Sequence, residues 1–221
     1  MKLFYAAACL FISFCMYCQE YIEFNGEKIN AIDADNHPTG IWKIFGTNDN
    51  HQIAVVTEFS KGERIADTNY YIDSKLFATC KMDGIIQIIK GTETIEAQFY
   101  RDAAGRTSLV DADGNELSSE IMKYFFSNSS IQAVPYGGMQ SFYKFIGQNA
   151  DPKLKGVKGK VVVKFTTSNI GKSQDIEIVS STNDKLNNEA IRLISIMPRW
   201  QPGLQQNGLV RCTYTIPLTF N

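Results

Sequence analysis

Residues 187–220 read NNEAIRLISIMPRWQPGLQQNGLVRCTYTIPLTF, and this stretch decides the fold of the C-terminal half. Apolar residues recur at helical spacing as far as Met197, and Pro198 follows, so the pattern predicts an amphipathic helix that ends before the proline. Residues 198–209 carry turn signals, and residues 210–220 alternate between apolar and polar side chains as a long strand does. Trp200 lies between two prolines, and we expect it to anchor the core under the end of the helix.

Three further segments precede this stretch. Residues 138–148 (GMQSFYKFIGQ) place their apolar side chains on one helical stripe. Residues 159–165 (GKVVVKF) form a β-branched run, and residues 176–179 (IEIV) supply an antiparallel partner across a turn at Asn169-Ile170-Gly171. The predicted order over residues 131–221 is therefore helix, strand, strand, helix, strand.

The charge of the chain changes sign near Ser130. Residues 19–130 hold 10 Lys and Arg against 18 Asp and Glu, a net charge of −8, whereas residues 131–221 hold 11 against 5, a net charge of +6. Such a change, at a junction rich in Ser, Asn, Pro and Gly, indicates a domain boundary. We therefore predict one domain over 19–130 and another over 131–221. The overall net charge of −1 excludes a strongly basic nucleic-acid binder.

The acidic half carries short β-branched runs between turn signals such as Lys61-Gly62, Asp83-Gly84, Ala104-Gly105 and Asp113-Gly114. This spacing predicts an antiparallel β meander. A short helix is expected over 116–126, capped by Ser118 or Ser119. The predicted strands are residues 40–45, 52–59, 69–72, 76–80, 85–89 and 95–100. The whole chain is thus predicted to be α+β.

The N-terminus has the layout of a secretory signal peptide. Lys2 is followed by the uncharged run LFYAAACLFISFCMYC over residues 3–18. Cleavage after Cys15 and cleavage after Cys18 both fit, and a retained membrane helix is the alternative. We expect export to the periplasm or cell envelope, and membrane contact only if the leader is retained. Of the five cysteines, Cys80 and Cys212 then remain, and we expect them to be free thiols.

Six pieces of the basic half occur in an order that matches a known family. They are the leading GGM-x-x-F (137–142), GVKGKVVVKF (156–165), NIGK at the hairpin turn (169–172), DIEIVSS (175–181), PRWQPG (198–203), and NG followed by TIPLTF (207–208 and 215–220). With the helix over 186–197 between them, they resemble the TonB C-terminal domain family.

This resemblance implies a protein of the cell envelope that is linked to TonB-dependent transport. Members bind an extended segment of an outer-membrane transporter, which pairs with an edge strand. The corresponding partner-binding residues here are Arg211, Cys212, Thr213, Tyr214, Thr215 and Ile216. The implied partner is an outer-membrane TonB-dependent transporter or another envelope protein, and the same edge can form a homodimer. The chain departs from energy transducers in having six prolines and no Pro-rich spacer.

The acidic half has a looser resemblance, to MORN-like repeats of bacterial surface and antitoxin-type proteins. It rests on a loose period, Phe59-x-x-Gly62, Lys81-x-x-Gly84 and Tyr100-x-x-x-x-Gly105, which is similar to repeats in which an aromatic residue and a Gly-containing turn recur. This implies an alternative function, a structural or inhibitory interaction protein. In it the β repeats bind the partner and the C-terminal domain serves as an assembly module.

No catalytic motif is apparent, so we expect a non-enzymatic protein without a cofactor or metal. His37 and His51 are interpreted as loop residues without an acid at a recognisable metal-ligand spacing. Residues 111–116 (DADGNE) are interpreted as a solvated Asp-Gly turn rather than a calcium loop. The clustered Lys153, Lys155, Lys158 and Lys160 form either a solvated face or a site for an anionic partner, including the acidic half or cell-wall polymer.

Overall fold

The computed structural model describes residues 20–24, 26–46 and 52–221. The predicted leader, residues 1–18, and His51 lie outside these ranges. Within them the chain is α+β, as predicted: an antiparallel meander is followed by a mixed helix–strand region. No helix among the described residues is both long and apolar enough to cross a membrane.

The described N-terminal half is one antiparallel ten-stranded sheet in which successive strands are neighbours, with the short β5 paired to β4. Because successive side chains of a strand point to opposite faces, alternate residues such as Ile86 and Ile88 of β8 enter the same buried core. The strands are β1 (Glu20–Phe24), β2 (Glu27–Ile32), β3 (Pro38–Phe45), β4 (Ile53–Ser60), β5 (Glu63–Arg64), β6 (Thr68–Ile72), β7 (Lys75–Cys80), β8 (Ile86–Lys90), β9 (Glu93–Arg101) and β10 (Thr107–Val110).

One turn geometry recurs through the chain. In each case the first residue donates its N–H to the carbonyl of the fifth and accepts from the N–H of the fourth. The fourth residue has a positive φ, which explains why glycine occupies it in all but one turn. These turns begin at Asp33, Lys81, Asp102, Asp111 and Ser168. The turn at Asp111 is the predicted solvated turn, since its carboxylate accepts from the N–H groups of Asp113 and Asn115.

Helix α1 (Ser119–Ser129) closes the core of the meander. Its N-cap Ser118 accepts a hydrogen bond from the N–H of Ile121, as predicted, although the helix extends a turn further than expected. Phe125 is fully buried and packs edge-to-face against Tyr70 and Phe99. The meander thus buries one face against its own helix.

The C-terminal region has the predicted order, with one hairpin added. Helix α2 (Gly138–Asn149) is followed by β11 (Gly159–Thr167), β12 (Ser173–Ser181), α3 (Asn187–Ser195) and β15 (Cys212–Phe220). Strand β11 lies between β12 and β15 in an antiparallel three-stranded sheet. Trp200 is the core anchor that was predicted, 2% exposed and packed against Phe142 and Phe165.

The structure differs from the sequence prediction in two places. Strands β1, β2, β5 and β10 were not predicted. The loop expected around Asn207-Gly208 is a hairpin of β13 (Gly203–Gln205) and β14 (Gly208–Val210), turning at residues 206 and 207. Leu204 of this hairpin belongs to the core of the meander, beside Ile131. The two halves therefore share side chains across the predicted boundary near Ser130.

Candidate functional site

The residues proposed for partner binding lie on β15 or directly before it. Strand β15 pairs with β11 in an unbroken antiparallel register, from Gly159 opposite Phe220 to Thr167 opposite Cys212. Among the described residues, no strand pairs with the other side of β15. This strand therefore presents a free edge, which we call the β15 edge, over residues 211–219.

Backbone alternation decides which groups point out of the β15 edge. The carbonyl of Lys160 accepts from the N–H of Thr182, so Lys160 faces β12. Because successive residues of a strand face opposite neighbours, Val161 and every second residue after it face β15. Their partners in β15 use their backbone N–H and C=O groups in this pairing. These partners are Leu218, Ile216, Tyr214 and Cys212. The groups that point outward belong to Thr213, Thr215, Pro217 and Thr219.

Pro217 limits how far a partner strand could pair. Proline has no N–H, and within sheets it is tolerated where that position faces away from a neighbouring strand. Its place opposite Val162 satisfies this condition, because the missing donor falls on the outward side. The unbroken run of outward N–H donors therefore lies before Pro217 and consists of Thr213 and Thr215. The position of Pro217 is readable from the sequence, but its outward direction follows only from the register with β11.

The side chains of the proposed residues divide between two faces. Thr213 and Thr215 are exposed, whereas Cys212 and Tyr214 are half-buried and Ile216 is buried. The Tyr214 ring lies 4.9 Å from that of Trp200, and its hydroxyl donates to the carbonyl of Ala133. Burial raises the pKa of Tyr214 above its ordinary value, so the hydroxyl keeps its proton. Arg211 pairs with Asp175 at 2.7 Å.

The opposite edge of the same sheet is less regular. Strand β12 pairs with β11 through two register shifts, between Val162 and Val163 and between Lys164 and Thr166. Bulges of this kind twist an edge strand and interrupt its ladder, which hinders the addition of another strand. The β15 edge has no such interruption before Pro217. It is therefore the better template for strand addition in this sheet.

A buried arginine joins the two halves beside this sheet. Arg199 is 6% exposed, and its guanidinium donates to the carbonyls of Asn30 and Ile170 at 2.8 and 3.3 Å. The Glu20 carboxylate lies 2.6 Å from its Nε, which compensates the buried charge. Asn30 also donates to the Tyr136 hydroxyl at 2.6 Å. These contacts fix the Trp200 segment to strands β1 and β2.

A second buried contact repeats this attachment. The Gln201 side chain accepts from the N–H of Phe45 and donates to its carbonyl, both at 2.7 Å. Its backbone pairs with Val134 at the same time. Gln201 thus replaces a neighbouring strand at the end of β3. The roles of Arg199 and Gln201 were not predicted, because polar side chains in a loop give no pattern that identifies partners more than a hundred residues away.

His37 and the clustered lysines are the remaining candidate residues from the sequence. His37 lies near two acids after all: ligand atoms of Asp33, Asp35 and His37 fall within 4.8 Å of one another, contrary to the expectation of no acid at a metal-ligand spacing. The Asp33 carboxylate already accepts from two backbone N–H groups of this turn.

The four clustered lysines are exposed and form no ion pair among the described residues, so the acidic half does not neutralise them. They are Lys153, Lys155, Lys158 and Lys160.

Comparison with known proteins identifies the C-terminal region. Residues 151–221 match the family model of the Gram-negative bacterial TonB protein C-terminal domain. None of the curated proteins and none of the solved structures compared with the chain matches it. The match covers the three-stranded sheet, α3 and the β15 edge, and at family level it supports a TonB-like envelope protein.

Proposed function

We propose that this protein is exported to the cell envelope and binds an extended segment of an outer-membrane TonB-dependent transporter along its β15 edge. The family match to residues 151–221 supports the kind of partner. The observation that carries the proposal is the row of outward backbone groups at Thr213 and Thr215. They lie on the free side of β15, whose other side pairs with β11 without interruption. In strand addition the backbone supplies the affinity and alternate side chains supply the selectivity.

The proposal is tested by removing one outward donor. Thr213→Pro deletes an N–H that points away from β11, so the sheet itself keeps its hydrogen bonds. Thr219→Pro is the matched control, because it deletes an outward N–H on the far side of Pro217. We expect the first variant to lose co-purification of a TonB-dependent transporter from outer-membrane extracts and the second to keep it. Unchanged binding by a folded Thr213→Pro protein would exclude the β15 edge.

The alternative interaction function has one observation in its favour. The β13–β14 hairpin buries Leu204 in the meander, and the Tyr70 hydroxyl donates to Asn207 at 3.3 Å. A C-terminal domain fixed to the meander in this way suits the alternative in which this domain serves as an assembly module and the β repeats of the meander bind the partner. In that case, substitutions at Thr213 leave binding intact while substitutions on the exposed face of the meander remove it. The resemblance of the meander to MORN-like repeats stays a prediction.

A further inference from the structure

The protein has a second free strand edge, and it borders an apolar crevice where the two halves meet. We propose that this place, which we call the junction groove, binds an extended segment of a partner protein as an added strand on β1. One wall is β1, and the opposite wall is formed by α2 and the segment around Trp200. The crevice measures about 290 Å³, and its lining includes Tyr21, Glu23, Ser141, Phe142, Phe145 and Met197.

The backbone of β1 supplies the first argument. Strand β1 is one of the two outermost strands on the path of the ten-stranded sheet, with β10 at the other end, and it pairs with β2 alone. The hairpin closes at the pair Phe24–Glu27 and continues through Ile22–Ile29 to Glu20–Ile32, and the register shift between the last two pairs adds its extra residue to β2. Unlike β12, whose own strand is bulged, β1 therefore keeps a regular alternation of its backbone groups. Alternation therefore turns the N–H and C=O groups of Tyr21 and Glu23 away from β2. Within the described part of the chain, these groups have no hydrogen-bond partner. Alternating donors and acceptors at this spacing match an extended peptide backbone.

The shape and lining of the crevice supply the second argument. Its volume of about 290 Å³ lies just below the roughly 300–1,000 Å³ typical of ligand pockets, so it suits one large side chain better than a cofactor. Phe142 and Phe145 of α2 and Met197 give it an apolar wall directly beside the free edge. A strand added to β1 would point every second side chain to one face. A large apolar residue of that strand would enter the crevice.

The charges at the rim supply the third argument. Glu23 is exposed and forms no ion pair among the residues that the structure describes. Its cross-strand neighbour Lys28 stands over the Tyr21 ring, 4.2 Å from the centroid. Glu20, in contrast, is already engaged by Arg199 and by Lys172 at 3.2 Å. The Glu23 carboxylate lies in the field of Lys28 but forms no ion pair with it, so it favours a Lys or Arg in the bound segment. The partner is therefore an extended segment with a large apolar side chain and a basic residue.

The test uses a phage-displayed library of short random peptides selected on the full chain, followed by amide hydrogen exchange with the selected peptides. We expect the peptides to slow exchange at Tyr21 and Glu23. Glu23→Pro removes an outward donor and should weaken their affinity by about threefold or more. Ser141→Trp fills the crevice and should remove binding, whereas Lys144→Trp, on an exposed part of α2, should not. Thr213→Pro should also leave binding unchanged, which separates this groove from the β15 edge.

Several results would overturn the proposal. One is the absence of any selected peptide, and another is a set of peptides that protects Thr213 and Thr215 instead. Protection of Tyr21 and Glu23 that appears without peptide as protein concentration rises would assign the groove to a second copy of this chain. Equal affinity of wild type, Glu23→Pro and Ser141→Trp would place the binding site elsewhere. Circular dichroism of each variant establishes that it is folded.

Discussion

Replacement of Gln201 by leucine tests whether the contacts between the halves stabilise the fold. The side chain is 1% exposed and makes two hydrogen bonds of 2.7 Å to the backbone of Phe45. Leucine has a similar volume but no polar atom, so it leaves a buried N–H and a buried carbonyl unpaired. Each such group costs about 1–3 kcal/mol, so we expect a loss of about 2–6 kcal/mol in the free energy of unfolding. This is a large fraction of the roughly 5–15 kcal/mol of a typical domain.

Urea unfolding followed by circular dichroism measures this loss, with Gln205→Leu as the matched control. Gln205 lies on the same segment but is exposed, so its replacement should change stability by no more than about 0.5 kcal/mol. Amide exchange at Phe45 should also become faster in Gln201→Leu than in the control. A loss below about 1 kcal/mol, or equal losses in the two variants, would refute the reasoning that each unpaired buried group costs about 1–3 kcal/mol.

Two further substitutions have outcomes that follow from local geometry. Gly171 and Gly114 have the same φ of 84°, but a Cβ on Gly171 would lie 1.8 Å from the Trp200 carbonyl oxygen, whereas one on Gly114 would meet nothing within 4 Å. Thermal unfolding should therefore show a loss of about 1–2 kcal/mol for Gly114→Ala and a clearly larger one for Gly171→Ala, and similar losses would contradict the close approach. Hydrogen bonds from Arg192 hold the pKa of Glu189 below its ordinary 4.5, so this stabilisation is present above that pH and is lost as pH falls through the lowered pKa. Glu189→Gln should cost about 1.5–3 kcal/mol at pH 7 and less at pH 3, and a cost independent of pH would rule out the charged pair.

Much of the fold was predictable because local patterns dictate it. The amphipathic stripe that ends at Pro198 and the β-branched run before Asn169 each determine their element without distant information. Strands β1 and β2 were missed because the apolar residues of the run EYIEFNGEKINAI do not alternate regularly with its charged and polar residues. Part of their packing also comes from distant parts of the chain, such as the contact of Phe24 with Tyr136.

The candidate site was predictable to a smaller extent. Alternation in residues 210–220 placed a strand at the end of the chain, and the resemblance suggested that it is an edge. Which backbone groups face outward follows only from the register with β11, which no sequence pattern contains. The junction groove depends on the approach of β1 to α2 and Trp200, residues that lie far apart in sequence. The partner itself stays a prediction.

The most direct test of the β15 edge is photo-crosslinking in the producing cell. A photoreactive residue replaces Thr213, and in a matched variant it replaces Val179, which is 55% exposed on the bulged edge strand β12. Mass spectrometry then identifies the captured protein. We predict an outer-membrane TonB-dependent transporter captured from position 213 and not from position 179. Capture of a transporter from position 179 alone, or from neither position, would contradict the proposal that the β15 edge binds it.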